Sequence, residues 1–245
     1  MASQAVEIWP DLPFLALVIT EKGYGRALAA GCRVVAVVVI ASEFLSGRNS
    51  RMGVEESLQV CLRVVQRTRR DGVGSRVYLS PAWGCAYEGP IAHGRVVAIA
   101  ELISDAGPDG SGVADFVGQA HPGEVKRLME ILGSKLGGQP LAVPLQDTRG
   151  LGLANAAAAI FAGVRTLAAS IGGLGGCPFA ADAVGNLARE DLALLARKMG
   201  LVTGVNLPAI CKTGGNLDRI LGRRIGSRSR ARWESCGKTS PDFAP

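Results

Sequence analysis

The chain has 245 residues, 48% of them hydrophobic and 5% aromatic, with 33 glycines and a formal net charge of +6. That length suits one sizeable core in a single domain, and the glycine-rich, aromatic-poor mix suits helices packed closely on strands with many tight turns. Six cysteines (Cys32, Cys61, Cys85, Cys177, Cys211, Cys236) without CxxC or zinc-type spacing argue against a disulfide framework and for a reducing, cytoplasmic compartment.

The opening MASQAVEIWPDLPFLALVI has acidic residues and prolines ahead of its apolar run and no basic stretch, so it reads as neither a signal nor a transit peptide. Short β-branched runs then alternate with longer helical patterns, the signature of βα units around a parallel sheet. Strands are predicted at Leu15 to Ile19, Val34 to Ala41, Arg76 to Ser80, Gly112 to Asp115, Leu141 to Val143 and Thr166 to Ile171. Helices are predicted at Lys22 to Ala30, Gly53 to Arg70, Ile91 to Ala106, Pro122 to Gly133, Leu151 to Ala162, Asn186 to Met199 and Leu207 to Leu221. The apolar run ending at Ala41 is too short to cross a bilayer and suits a strand buried on both faces. Cys32 and Cys61 fall in apolar runs and read as buried packing.

The pattern predicts an α/β fold of the (β/α) barrel type, incomplete because six βα units fall short of the eight that close such a barrel. Two sheet edges with unpaired N–H and C=O groups follow, to be covered by the first dozen residues, by a second chain, or not at all. The domain is expected over residues 1–221. Residues 222–245 contain GRRIGSRSRARW, a basic stretch without apolar periodicity, expected to be a flexible, solvated tail. Attraction of nucleic acid or of coenzyme A phosphates is its functional alternative.

One stretch stands out: Gly172 to Asp191, GGLGGCPFAADAVGNLARED. It sets Cys177 in a glycine-rich loop able to close over a ligand, with Asn186 nine positions later at the head of a helical pattern. An ordinary glycine-rich turn with a half-buried cysteine is the plainer reading. Other motifs gather at the predicted carboxyl ends of strands: Ser42 to Asn49, Ser80 to Gly89, Asp115 to Gln119 and Gln146 to Thr148. Strand ends are where a (β/α) barrel places its chemistry.

Taken in order, ASEFLSGRNSRMGVEESL, YLSPAWGCAYEGPI, ADFVGQAHPGEV, QDTRGLGLANA, GLGGCP, GNLARED and GLVTGVNLPAI resemble the 3-hydroxy-3-methylglutaryl-CoA lyases. These belong to a metal-dependent lyase superfamily built on a TIM barrel. The resemblance spans Leu15 to Leu221 and implies a retro-Claisen cleavage of hydroxymethylglutaryl-CoA into acetyl-CoA and acetoacetate. It also implies Mg2+ or Mn2+ as cofactor and an acyl-CoA as ligand, with no nucleic acid and no membrane; a homo-oligomer is left open. By this resemblance Cys177 is the loop cysteine that manages a proton near the enolate, and Asn186 is a metal ligand. Asp115 matches an active-site acid, Asn49 an active-site asparagine and Tyr78 a strand-end tyrosine. Read without the resemblance, Asn186 caps a helix, Asp115 caps a turn and Tyr78 packs as a half-buried aromatic.

The sequence also departs from the family's pattern. Its seventh strand ends in His-x-His-Asp-Thr, whose histidines hold the metal; here the same place reads Pro144, Leu145, Gln146, Asp147, Thr148. Pro144 has no ligating side chain, and Gln146 offers one carbonyl oxygen, a weak metal ligand. The family's first two strands, with the aspartate that is its fourth ligand, have no counterpart. A catalytically silent homologue, binding an acyl-CoA or a partner subunit and no metal, is therefore the alternative to a lyase. His93 and His121 fall elsewhere and read as surface residues.

Overall fold

The computed structural model describes residues 2–12, 14–176, 185–236 and 241–243. Helix α1 (Ala2–Ile8) leads into β1 (Leu15–Val18), α2 (Glu21–Ala29) and β2 (Val34–Ile40). There follow α3 (Glu43–Ser50), α4 (Val54–Asp71), β3 (Gly74–Ser80), a small ribbon of β4 (Gly84–Cys85) and β5 (Gly89–Pro90), and α5 (His93–Asp105). Then come β6 (Gly110–Val113), α6 (Pro122–Lys135), β7 (Leu141–Pro144), α7 (Gly152–Phe161) and β8 (Thr166–Ala168). Helices α8 (Arg189–Lys198), α9 (Leu207–Leu221) and α10 (Arg228–Cys236) complete the order.

Six strands form one sheet in the order β1-β2-β3-β6-β7-β8, each pair parallel. The sheet curls into an incomplete (β/α) barrel with β1 and β8 at its open edges, as the βα count predicts. Parallel pairing forces a crossover between successive strands, and the long crossovers here are helices that bury one face of the sheet.

Strand β2, VVAVVVI, supplies both faces because side chains alternate along it. Val35, Val37 and Val39 join the main core with Leu58, Cys61, Val64 and Val65 of α4. These four recur at three- and four-residue intervals, the stripe a helix needs to lie flat on a sheet. Acidic Glu55 and Glu56 in its first turn and Arg69 and Arg70 in its last complement the helix dipole. Helix α6 starts at Pro122 with a reciprocal cap between His121 and Glu124, and buries Val125, Leu128, Met129 and Leu132. Ala36, Val38 and Ile40 point the other way and pack with Leu45, Tyr78, Cys85 and Ala142 in a smaller cluster.

Three local expectations change. Ser42 to Asn49 is a helix rather than a loop, because Ser42 Oγ accepts from Leu45 N at 3.2 Å and starts α3. Strand β8 stops at Ala168, where the chain turns through a 3-10 segment at Ile171–Gly173. The basic segment after Gly222, expected as a solvated tail, contains α10, and Arg230 within it is 1% exposed. Its lack of apolar periodicity hid it, since a buried guanidinium rather than a hydrophobic stripe anchors the helix.

Val6 of α1 packs against the main core, while Leu15 and Leu17 of β1, on the opposite face of the sheet, remain 46% and 66% exposed.

Candidate active site

The carboxyl ends of β7 and β8 are joined by residues 185–188, which run between them as an extended segment. Asp147 N donates to Gly185 O at 3.2 Å, Asn186 N to Gly173 O at 3.1 Å, and Leu187 N to Leu145 O at 3.1 Å. Ser170 N donates to Leu187 O at 3.1 Å, and Arg189 N to Ser170 O at 2.8 Å. The approach is so close that a Cβ on Gly173 would lie 2.7 Å from the carbonyl oxygen of Asn186, and Gly173 has φ +69°. Only glycine meets both conditions without strain.

This threading bears on the helix-cap reading of Asn186. It sits in an antiparallel bridge with Gln146, and α8 starts only at Arg189 with Ala188 as its cap. Asn186 therefore does not cap the helix. Its Nδ2 donates to Leu174 O at 2.9 Å, leaving the Oδ1 carbonyl as its acceptor. Gln146 is 4% exposed, and its Oε1 accepts from the Thr148 hydroxyl at 3.4 Å. The two residues predicted as metal ligands are thus neighbours across one bridge.

Asp115 is buried completely and lies in register with Leu145, a residue of the helix-facing core. Its Oδ1 accepts from Gln119 N at 3.0 Å and its Oδ2 from Ala120 N at 2.9 Å, so both oxygens hold the loop after β6. Burial pushes its pKa up, and the backbone donors of residues 117–120 act against that rise. Tyr78 lies one strand away, in register with Gly112 and buried among Ala36, Val38, Ile40 and Ala142. Asn49 is not drawn in: it is exposed on the last turn of α3. Cys177 lies outside the described residues.

Beside the Gln146–Asn186 bridge is a cleft of about 310 Å3, lined among others by Asp147, Gly173, Gly175, Asn186, Asp191 and Arg228. Asp147 Oδ1 accepts from Gly152 N at 2.8 Å and so steadies the start of α7. Two residues of this region escaped the sequence reading. Glu190 is fully buried and Asp191 caps α10; the signal was present in ARED, an acidic pair at a helix start. Burial raises the pKa of Glu190, while the amide of Gly172, donating to its carboxylate, pulls the other way.

Among the described residues, the donors beside the cleft do not match the set a divalent cation prefers. Mg2+ and Mn2+ favour several oxygen ligands with carboxylates among them, whereas the carboxylates that line the cleft beside Asn186 are already engaged, Asp147 by Gly152 N and Asp191 by the start of α10. Among the described residues no group of three or more His, Cys, Asp or Glu converges. His121 is spent on capping α6, and His93 opens α5. Burial pushes the thiols of Cys61 and Cys211 up to about 12, far from thiolate chemistry at neutral pH.

Comparison with known proteins places this geometry in context. The HMGL-like family description matches residues 7–216. A (R)-citramalyl-CoA lyase of Chloroflexus aurantiacus is 40% identical over 212 residues, 86% of this chain and 67% of that protein. The mitochondrial hydroxymethylglutaryl-CoA lyase of Bos taurus is 33% identical over 225 residues, 92% of this chain and 69% of that protein. Among solved structures, a hydroxymethylglutaryl-CoA lyase from Pseudomonas aeruginosa superposes with a TM-score of 0.86 at 33% identity, covering 92% of this chain and 75% of that one. An HMG-CoA lyase from Acinetobacter baumannii, solved with coenzyme A and 3-methylmalate, gives a TM-score of 0.86 at 30% identity, covering 96% and 75%.

Proposed function

The chain belongs to the HMGL-like family of CoA-ester lyases and their relatives, and from that premise we propose that it binds an acyl-CoA thioester at its strand ends without metal-assisted cleavage. The observation that carries this reading is the end of β7. Pro144 and Gln146 stand where the resemblance puts paired metal histidines, and the Gln146 amide oxygen accepts from the Thr148 hydroxyl. Loss of groups that merely support metal ligands costs roughly 10–100-fold in affinity, and loss of the ligands themselves costs more. A bound metal supplies several kcal/mol of barrier lowering, and about 1.4 kcal/mol is tenfold in rate.

The ligand class is supported by the coenzyme A complex of the Acinetobacter relative. The favoured ligand is hydroxymethylglutaryl-CoA. Asn186 Oδ1 at the cleft is the acceptor placed to meet a hydroxyl of the acyl group, and Asp147 and Gln146 fix the bridge that presents it. Five free cysteines among the described residues support a reducing compartment, read as the cytoplasm. No described helix is long and apolar enough to cross a membrane.

A second reading, turnover to acetyl-CoA and acetoacetate, is favoured by the 40% identity to a named lyase. It requires metal ligands beyond those converging here. In that case Cys177 handles the enolate proton, and Cys177→Ala lowers the rate by more than about tenfold.

Calorimetric titration with hydroxymethylglutaryl-CoA tests the proposal. Saturable binding that Asn186→Ala weakens is the expected result. The same affinity in Asn186→Ala would move the ligand elsewhere, and no binding to the unaltered chain would end the proposal.

A further inference from the structure

Residues 217–236 follow the span 7–216 that the HMGL-like description matches, and they are built against the glycine-rich loop. Ile225 is 4% exposed, and its side chain rests against Gly172 so closely that a Cβ there would collide with it. Gly172 N donates to both oxygens of Glu190, at 3.1 and 2.9 Å. Glu190 and Arg230 in turn flank Gly214 of α9, where a Cβ would lie 3.2 Å from Glu190 Oε1 and 2.8 Å from Arg230 Cδ. Arg230 donates to Asp218 Oδ2 and to Ile225 O, both at 2.7 Å. Next to Glu190, Asp191 accepts from the Ser227 hydroxyl at 3.0 Å and from Ser229 N at 2.7 Å.

The two neighbouring acids therefore face opposite ways: Glu190 reaches back to the glycine-rich loop and Asp191 forward to the start of α10. Arg230 holds the carbonyl of Ile225, the residue that seats on Gly172. A buried guanidinium is costly unless paired, and this one is paired in a way that fixes where Ile225 sits. We propose that the segment from Asp218 to Cys236 is a brace, with Arg230 as its positioning residue, that sets the glycine-rich loop through Ile225 and Glu190. The loop edges the cleft at Asn186, so the brace controls how well that cleft takes a ligand. This last step rests on the acyl-CoA reading; the brace itself does not.

Hydrogen exchange of the full chain tests it, with Arg230→Met removing the charge and Ile225→Ala removing the contact while leaving the ion pair. Exchange at residues 170–176 is expected to quicken by about tenfold in each variant, as a lost buried tie allows local opening, with α4 unchanged. Quickening confined to residues 222–236 would overturn the proposal. Affinity for coenzyme A, the probe, is expected to fall about tenfold in Arg230→Met and to recover partly in Arg230→Lys. Unchanged affinity with a lowered Tm would reduce Arg230 to a structural role and overturn it too. Should the unaltered chain take no coenzyme A, the acyl-CoA reading fails and the exchange result alone decides the brace.

Discussion

The two faces of the sheet are made by the same strands and serve different ends. Toward the helices, Val35, Val37 and Val39 of β2 meet α4 in one continuous core. On the opposite face, Ala36, Val38 and Ile40 share a small cluster with Tyr78 and Ala142, and Leu17 of the edge strand is left 66% exposed. Alternation along a strand assigns residues to faces, but what covers each face decides their energetic weight. One face holds the fold together; the rim above the other carries the cleft, the Gln146–Asn186 backbone bridge and the buried Glu190.

The difference between the faces should show most where burial is greatest. Leu128 of α6 is fully buried, and Leu128→Ala should cost about 2–5 kcal/mol in urea unfolding. Asp115→Ala should come next, at about 1–3 kcal/mol, because the buried amide of Ala120 and the half-buried amide of Gln119 lose their acceptor. An effect on ligand affinity with no loss of stability would make Asp115 an active-site acid rather than a loop cap. Glu190 extends the contrast through pH. Its folded pKa is raised above the ordinary 4.5, so the folded state binds the proton more tightly than the unfolded chain does. Its contribution is full below pH 4.5 and fades as pH climbs through the raised value. Tm scans from pH 4 to 8 should therefore show a fall that Glu190→Gln flattens. On the other face, Leu17→Ala should change stability by no more than about 0.5 kcal/mol, and a larger loss would mean that Leu17 is covered in solution. Smallest of all, Pro144→His with Gln146→His should yield no saturable Mn2+ heat by itself, because the nearby carboxylates of Asp147 and Asp191 are already engaged by Gly152 N and by the start of α10. Tight Mn2+ binding by that double variant would mean that the donor set suits a divalent cation after all.

Much of the helix-facing architecture is legible from periodicity: the doubly buried run at Val34, the capped stripe of α6 after Pro122, and the βα alternation that makes the sheet parallel. Elements that depend on one polar contact were not. Helix α3 hangs on the Ser42 cap, and α10 on a buried arginine, neither of which leaves an apolar stripe to read. At the site, Gln146 and Asn186, which the sequence singles out, are paired across a backbone bridge. The sequence also suggested a helix cap for Asn186, which the threading of residues 185–188 rules out, because that segment pairs with two strand ends distant in sequence. Asp115 and Tyr78 were each open to a structural or a functional reading, and their contacts are those of a loop cap and a packed aromatic.

In the proposed function this chain holds an acyl-CoA and leaves it whole. The direct test is acetyl-CoA release from hydroxymethylglutaryl-CoA and from (R)-citramalyl-CoA, with and without Mn2+, on a sample that melts cooperatively and binds the thioester. Binding without release under every condition is the expected result. Mn2+-dependent release of acetyl-CoA would contradict it and show that a competent metal site forms.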